Sequence, residues 1–205
     1  MENDKKTPAP KHLQGAEKAA PEQEKAEKKQ SDPATELYFW AQALTFALVV
    51  LVCLNTWFFR LSGVRGTSMV PTFDNGDQIV MRVIDYDEPV RGDIVVAMSD
   101  FFPDEPLVKR IVALPGDVVD FDRANGVFLL NGEAQYEPYI LEGIQKFGNT
   151  DFPLTVPEGH VFVMGDNRNG STDSRWTEVG PLSEDDIIGK VILRIWPVTG
   201  FKTVS

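Results

Sequence analysis

Ser68 is a residue whose surroundings fit a nucleophile. It lies in the stretch GTSMVPT at residues 66–72, with Gly66 two positions before it and Pro71 three positions after it. The glycine lets the backbone turn sharply, and the proline fixes its own φ and pushes the preceding residue towards extended geometry. A hydroxyl held in such a stiff segment can be presented at a fixed angle, as nucleophilic catalysis requires. The same residue types are usual in turns, so this stretch alone also fits a serine that bonds its own backbone.

A serine hydroxyl is a weak nucleophile without a neighbouring base. His160 could supply one, but it follows Gly159 in a predicted turn. Lys109 fits better, because it lies in the apolar run LVKRIVAL at residues 107–114, where burial would lower its pKa and free its lone pair. A Ser–Lys pair is a known variant of the Ser-His-Asp arrangement. Neighbouring strand residues face opposite sides, so the strand does not decide whether Lys109 or Arg110 points inward, or whether both lie at a solvated edge.

The stretch GDNRNGSTDSR at residues 165–175 is the third candidate for chemistry. It follows an apolar run and holds no hydrophobic side chain except the threonine methyl group. A long solvated loop would fit that composition. Asp173 and Arg175 could instead form a charge-assisted hydrogen bond that stiffens the loop. Ser171 could then orient a lysine amine.

The elements that must position these residues are predicted to be strands. Residues 60–205 show short β-branched runs between turn residues, and Asn131-Gly132 after an apolar run is typical of a hairpin. Residues 183–186 predict a short helical turn. The region therefore predicts a mainly β domain, a coiled sheet or partly open barrel. The predicted strands are residues 78–83, 93–98, 107–114, 118–122, 127–130, 160–164 and 187–195.

Residues 37–59 are predicted to form a transmembrane signal anchor. Apart from Tyr38 and Cys53 the segment has no ionisable side chain, and as a helix it would span about 34 Å, enough to cross a bilayer. Aromatic residues cluster at both ends, as they do at membrane interfaces. The segment is too long for the apolar part of a cleaved signal peptide, and no small-x-small site follows it. The alternative is the core helix of a soluble protein.

The charges that flank this segment predict its orientation. Four lysines lie within about 20 residues before it, whereas Arg60 and Arg65 follow it. This bias places the N-terminal tail in the cytoplasm and residues 60–205 on the extracytoplasmic face of the cell membrane, with a single pass. The tail, residues 1–36, is rich in Ala, Glu, Lys, Gln and Pro and is predicted to be disordered. A helical segment that folds on a partner is the alternative interpretation.

Composition excludes several classes of function. The 205 residues carry a formal net charge of −11, and residues 60–205 hold 23 acidic against 13 basic side chains. An acidic domain repels phosphate backbones, so nucleic acid is not an expected partner. The single cysteine is Cys53 and the two histidines are His12 and His160, without a C-x-x-C or H-E-x-x-H pattern. We therefore expect no metal site and no cofactor.

Four stretches, taken together and in order behind the apolar segment, resemble the sequence boxes of bacterial type I signal peptidases. The resemblance extends from the anchor to about Pro197, and the single anchor and compact chain are similar to the Gram-positive form of that family. The stretches are Ser68-Met69-x-Pro71-Thr72, Arg91-Gly92-Asp93-Ile94-Val95, residues 109–117 (KRIVALPGD), and Gly165-Asp166-Asn167-Arg168 with Ser171-x-Asp173-Ser174-Arg175.

The resemblance implies roles for the residues in these boxes. Ser68 would be the nucleophile and Lys109 the general base, with Ser171 supporting the lysine amine. Asp173 and Arg175 would hold the site together. The partners would be membrane lipid and exported preproteins, which the enzyme would cut after a small-x-small motif.

Two further points concern the substrate side of the site. Some family members place a serine two residues before the nucleophile, where its hydroxyl assists the oxyanion hole, but this chain has Gly66 there. The Ser68 backbone N–H remains as a donor. Met69 and Ile111 are candidates for substrate binding by position alone.

Two other functions compete with a membrane-anchored serine endopeptidase. A self-cleaving Ser–Lys repressor would carry a DNA-binding domain, whereas this chain has an apolar segment and an acidic balance. A catalytically silent, membrane-tethered β-domain could bind exported chains, but it would not need the Ser68 and Lys109 that are present here.

Overall fold

The computed structural model describes residues 32–84, 86, 88–200 and 202–203. Most of the predicted tail, residues 1–31, therefore lies outside the described residues. Helix α1, Pro33–Trp57, begins within the last part of the predicted tail. The Asp32 side chain accepts a hydrogen bond from Ala34 N at 3.3 Å, and Pro33 occupies the first helical position, where its missing N–H costs nothing. These local signals explain why the helix starts before the apolar run.

Helix α1 is long and apolar enough to cross a membrane. By length and composition its span is Pro33–Leu54, with a mean hydropathy of 2.2, and none of that span is buried within the protein. The helix ends at Trp57, two residues before the predicted end, because Phe59 already begins the first strand and Phe58 O accepts a hydrogen bond from Val83 N. The placement of residues 37–59 in a membrane stays a prediction.

The rest of the described chain is mainly β, as predicted, and forms two antiparallel sheets. The strands of the described residues are β1 Phe59–Gly63, β2 Gln78–Arg82, β3 Ile94–Ser99, β4 Phe102–Ala113, β5 Val118–Asp122, β6 Val127–Leu130, β7 Glu133–Ala134, β8 Leu154–Thr155, β9 His160–Met164, β10 Leu182–Ser183, β11 Ile187–Trp196 and β12 Lys202–Thr203. The larger sheet has the strand order β1-β2-β11-β3-β4-β9-β10 with β12 on β11, and the smaller has the order β7-β6-β5-β8. The sheets do not close into a barrel.

All seven predicted strands are present, three of them with the predicted bounds. The hairpin turn between β6 and β7 is confirmed, with φ of 53° at Asn131 and 82° at Gly132. The predicted helical turn is a 3-10 helix at Glu184–Asp186, capped by the Ser183 side chain. β4 begins five residues earlier than predicted. Its first half contains Asp104, Glu105 and Pro106, residue types that are uncommon in strands, so the sequence pattern did not indicate a strand there. Strands β1, β7, β8, β10 and β12 were not predicted, and four of them have only two residues.

Strand β3 and the second half of β4 are covered on both faces. Ile94 and Val96 pack into one core cluster, which lies under the Ser68 segment, whereas Val95 and Ala97 pack into another. A third cluster joins the end of β4 to the smaller sheet. In the second half of β4, from Lys109 to Ala113, the side chains on both faces are buried, so a polar side chain there is removed from water whichever face it occupies.

Candidate active site

Ser68 and Lys109 meet in the structure although they lie 41 positions apart in the chain. Lys109 Nζ lies 2.9 Å from Ser68 Oγ and donates to Val108 O at 3.1 Å. The first distance is within the range over which a general base can remove a proton. Lys109 itself is 4% exposed. The pair has the arrangement of a nucleophile and an adjacent base.

The Ser68 segment is held rigidly at several points. Gly66 has a φ of +76°, a conformation that glycine adopts without strain, and its N–H donates to Asn75 Oδ1 at 2.9 Å. Met69 is 1% exposed and packs into the core cluster below the segment. On the other side, Asn167 N donates to Ser68 O at 3.0 Å, and Asn167 Nδ2 donates to Thr67 O at 3.1 Å. The serine is thus fixed between the core and the 165–175 loop.

Burial lowers the pKa of Lys109 from its ordinary value to about 8. Desolvation is the largest cause, because it disfavours the ammonium form. The Asp173 carboxylate opposes this shift, the Arg175 guanidinium adds to it, and Asp166 opposes it more weakly. The lysine therefore has an accessible neutral form at mildly alkaline pH, which a general base requires.

Asp173 and Arg175 form a fully buried, two-pronged ion pair. Arg175 Nε and Nη2 each donate to one Asp173 oxygen at 2.8 Å, and Gly165 N donates to Asp173 Oδ2 at 3.0 Å. Burial alone would raise the pKa of Asp173, but the hydrogen bonds and charge of Arg175 together with the Gly165 N–H lower it. Arg175 Nη1 also donates to Lys146 O at 2.6 Å. The loop is a packed polar network and not the solvated loop that its composition also fitted.

Ser171 lies next to the Ser68–Lys109 pair, but the structure has no hydrogen bond between Ser171 and Lys109. Ser171 Oγ is buried and forms no hydrogen bond of good geometry in the described part of the chain, but it lies close enough to Asp173 to help lower the pKa of that carboxyl. A Cβ built on Gly165 would lie 2.4 Å from both Ser171 Oγ and Ser68 O, so these two atoms converge on the same glycine. The structure brings Ser171 to the site, and its support of the lysine stays a prediction.

Arg110 occupies the face of β4 opposite to Lys109, and it is also buried, at 5% exposure. Its Nε and Nη2 donate to the two oxygens of Asp166 at 2.9 Å and 2.8 Å, and its guanidinium lies 4.0 Å from the Tyr139 ring centroid. Asp166 in turn accepts from Thr72 Oγ1. The two side chains lie on alternate faces as expected, but neither is solvated, because both faces of the second half of β4 are covered.

A cleft of about 650 Å³ contains Ser68 and Lys109. The cleft is lined by the end of β1 with the segment after it, and by β4 from its first half up to Lys109. Gly170 and Thr172 of the loop complete the lining. The first stretch contributes Ser62, Gly63, Arg65, Gly66 and Thr67, and β4 contributes Phe102, Asp104, Glu105, Pro106, Leu107 and Val108.

Met69 and Ile111, the two candidates for substrate binding, do not line this cleft. Met69 follows Ser68 but turns into the core, and Ile111, at 0% exposure, packs in the core cluster that also holds Val163 of the neighbouring strand β9. The lining residues include most of the first half of β4, which the sequence did not predict as strand. The sequence offered a signal for two of these lining residues, because Leu107 and Val108 are apolar and directly precede Lys109.

The other candidate base lies elsewhere. His160 begins β9, its Nδ1 is 3.0 Å from Glu158 O, and it is not among the residues of the cleft. Among the described residues no group of three or more His, Cys, Asp or Glu side chains could hold a metal ion.

The comparisons of sequence agree on one family. Residues 37–196 match the family model described as signal peptidase, peptidase S26. The chain is 31% identical over 184 residues to a signal peptidase IB of Staphylococcus aureus, covering 82% of this chain and 93% of the relative. It is 37% identical over 160 residues to a signal peptidase I of Bacillus licheniformis, covering 73% and 83%. A crystal structure of a signal peptidase I from Enterococcus faecalis superposes with a TM-score of 0.41 at 30% identity, covering 51% of this chain and 97% of the other.

Proposed function

The chain belongs to the signal peptidase family, and we propose that it is a membrane-anchored serine endopeptidase that removes signal peptides from exported preproteins. The observation that carries this proposal is the 2.9 Å approach of Lys109 Nζ to Ser68 Oγ in an open cleft. Helix α1, with the length and composition of a membrane span, supports the anchoring.

In the proposed reaction Lys109 acts in its neutral form as the general base. It takes the proton of Ser68 Oγ as that oxygen attacks the scissile carbonyl, and it then gives the proton to the leaving amine. A water molecule, deprotonated in the same way, hydrolyses the acyl-enzyme and regenerates the serine. The Ser68 backbone N–H stabilises the oxyanion; Gly66 has no hydroxyl to add a second donor.

In this proposal the Ser68–Lys109 pair is held in place by Asp173, Arg175 and Ser171, none of which contacts the substrate. The buried Asp173–Arg175 pair fixes the loop, and the loop fixes Ser68 through Asn167. Ser171 Oγ, which forms no hydrogen bond of good geometry in the described residues, is available to the lysine amine when the side chains adjust during the reaction.

The substrate is proposed to lie extended in the cleft, between β1 and the first half of β4. Its main chain would add hydrogen bonds to a strand edge, as peptides commonly do on sheets. Alternate side chains of an extended chain point the same way, so the positions one and three before the cut would face the protein. This arrangement supports a preference for small residues at those two positions.

The proposed function is tested by incubating the full-length protein in detergent with a purified preprotein and locating the cut by mass spectrometry. A single cut after a small-x-small motif is expected, and Ser68→Ala should abolish it. Cleavage that persists in Ser68→Ala would remove Ser68 from the mechanism. Binding of the preprotein without any cleavage would favour a silent binding domain.

A preprotein with a bulky residue directly before the cut should be processed at least about tenfold more slowly than one with alanine there. The reason is that an extended chain directs this side chain at the wall of the cleft. The measurement is the initial rate with a preprotein pair that differs only in Ala→Phe at this position. A matched pair with the same change two residues after the cut provides the control. Equal rates for the first pair would contradict the proposed binding mode.

We further propose that residues 1–36 are a cytoplasmic tail, residues 37–59 the anchor and residues 60–205 the extracytoplasmic peptidase domain. The flanking lysines support this orientation. Protease added outside intact cells should then degrade the domain and spare the tail, as detected with antibodies to each part. Loss of the tail with protection of the domain would reverse the orientation.

A further inference from the structure

A segment outside the four sequence boxes supports the site. Residues 137–150, here called the strap, connect β7 to β8 and contact the 165–175 loop at separate points along its length. Near its start, Glu137 binds Arg168. In its middle, Gln145 N and Lys146 N donate to Asn169 Oδ1 at 2.8 Å and 3.1 Å. At its end, Asn149 N and Thr150 N donate to Arg175 O at 3.2 Å and 3.1 Å.

The contact between Glu137 and Arg168 is a buried, two-pronged ion pair. Arg168 Nη1 and Nη2 each donate to one Glu137 oxygen at 2.6 Å, and the side chains of Arg168 and Glu137 are 0% and 5% exposed. Tyr139 OH donates to Glu137 Oε1 at 2.8 Å, which orients the carboxylate further. Within the described residues, Glu137 is the carboxylate in hydrogen-bonding contact with this guanidinium. Because an unpaired buried charge is costly, the position of Glu137 dictates that of Arg168.

Arg168 in turn holds the turn whose residues contact the backbone of Ser68. Its Nε donates to Gly165 O at 3.0 Å, so the guanidinium closes the turn that begins the loop. Asn167, within that turn, donates to Ser68 O through its backbone N–H and to Thr67 O through its side chain. A chain of direct contacts therefore runs from Glu137 through Arg168 and the turn to the backbone of Ser68.

We infer that Glu137 is a positioning residue of the proposed peptidase. Through Arg168 it holds the turn at residues 165–168, and thereby keeps Ser68 Oγ within proton-transfer distance of Lys109. Glu137 does not line the cleft and is not assigned contact with substrate. The inference rests on the proposed function, because its effect is on the turnover of a preprotein.

The test compares the full-length protein with Glu137→Gln and with Glu133→Gln, a matched change at an exposed position of β7. Glutamine nearly keeps the shape of Glu137 but removes the charge and turns one N–H donor towards the guanidinium. Because small displacements of reacting groups reduce turnover strongly, kcat of Glu137→Gln should fall about 10- to 100-fold. KM should change less than about twofold, since the cleft walls are intact, and Glu133→Gln should match the unaltered protein.

Glu137→Asp completes the test, because it keeps the charge on a side chain that is one methylene shorter. Glu137→Asp should recover part of the kcat lost in Glu137→Gln. The rates are measured well below the melting midpoint of each variant. If Glu137 contributed only to global stability, no such recovery would be expected under this condition. A folded Glu137→Gln with kcat within twofold of the unaltered protein would overturn the inference. So would equal losses in Glu133→Gln, or a failure of both Glu137 variants to fold. If the unaltered protein does not cut the preprotein, the proposed function itself fails.

Discussion

Lys109→Arg is expected to lower kcat/KM for preprotein cleavage by at least about 10³-fold, close to the loss in Ser68→Ala. Arginine keeps the positive charge and most of the length of lysine, but it does not deprotonate in a protein and so cannot accept the serine proton. The measurement is the initial rate of cleavage by each purified, full-length variant. If Lys109 served only as a cation that pairs with neighbouring carboxylates, the change would cost little.

The control for this prediction is Lys190→Arg in β11. Lys190 is paired with Asp93 at 2.6 Å and its side chain is 27% exposed, so arginine can keep that contact and activity should be unchanged. Circular dichroism and a cooperative melt should show that both variants fold. The unaltered protein should gain activity as pH rises through about 8, because the neutral fraction of Lys109 grows there. A folded Lys109→Arg protein with near-normal turnover would exclude lysine as the base.

Gly165→Ala is expected to lower kcat/KM by about 10²-fold or more. The added Cβ would lie 2.4 Å from Ser68 O and 2.4 Å from Ser171 Oγ, distances that non-bonded atoms do not adopt. Ser171 could rotate away, but a backbone carbonyl cannot move without its segment, so the alanine would displace Ser68 from Lys109. Misplacement of a reacting group by about 1 Å can cost about 10²-fold in rate.

Gly143→Ala is the matched control for Gly165→Ala. Neither glycine has a φ in the left-handed region, and a Cβ on Gly143 would meet only Gly126 O at 3.7 Å, an ordinary contact. Its rate should stay within about twofold of the unaltered protein. The same preprotein assay measures both variants, and the melting midpoint separates a shifted site from an unfolded chain. A folded Gly165→Ala protein of full activity would show that Ser68 does not depend on this close approach.

The strands were largely predictable because the signals that specify them are local. Alternation and β-branched runs bounded by turn residues located β5, β6 and β9 with their bounds, and Asn131-Gly132 located a hairpin. The two-residue strands were missed since they carry no periodicity of their own. They form because a neighbouring strand offers hydrogen-bond partners, which is information about tertiary structure.

The family was also predictable, because four short stretches in a fixed order are specific when taken together. The comparisons confirm it over residues 37–196. The nucleophile and base were named from residue type and setting, and the structure places them in contact. Their catalytic roles stay predictions, which the Lys109 and Ser68 variants test.

By itself, the sequence determined the fold class, the apolar segment and the residue types able to do the chemistry, because these depend on neighbours along the chain. Only the tertiary structure decided that Lys109 faces Ser68, that Arg110 is buried on the opposite face, and that Met69 lies in the core instead of the cleft. Contacts such as Glu137 with Arg168 join residues 31 positions apart. Such pairings depend on how sheets, loop and strap pack, since burial and hydrogen bonding are satisfied by neighbours in space.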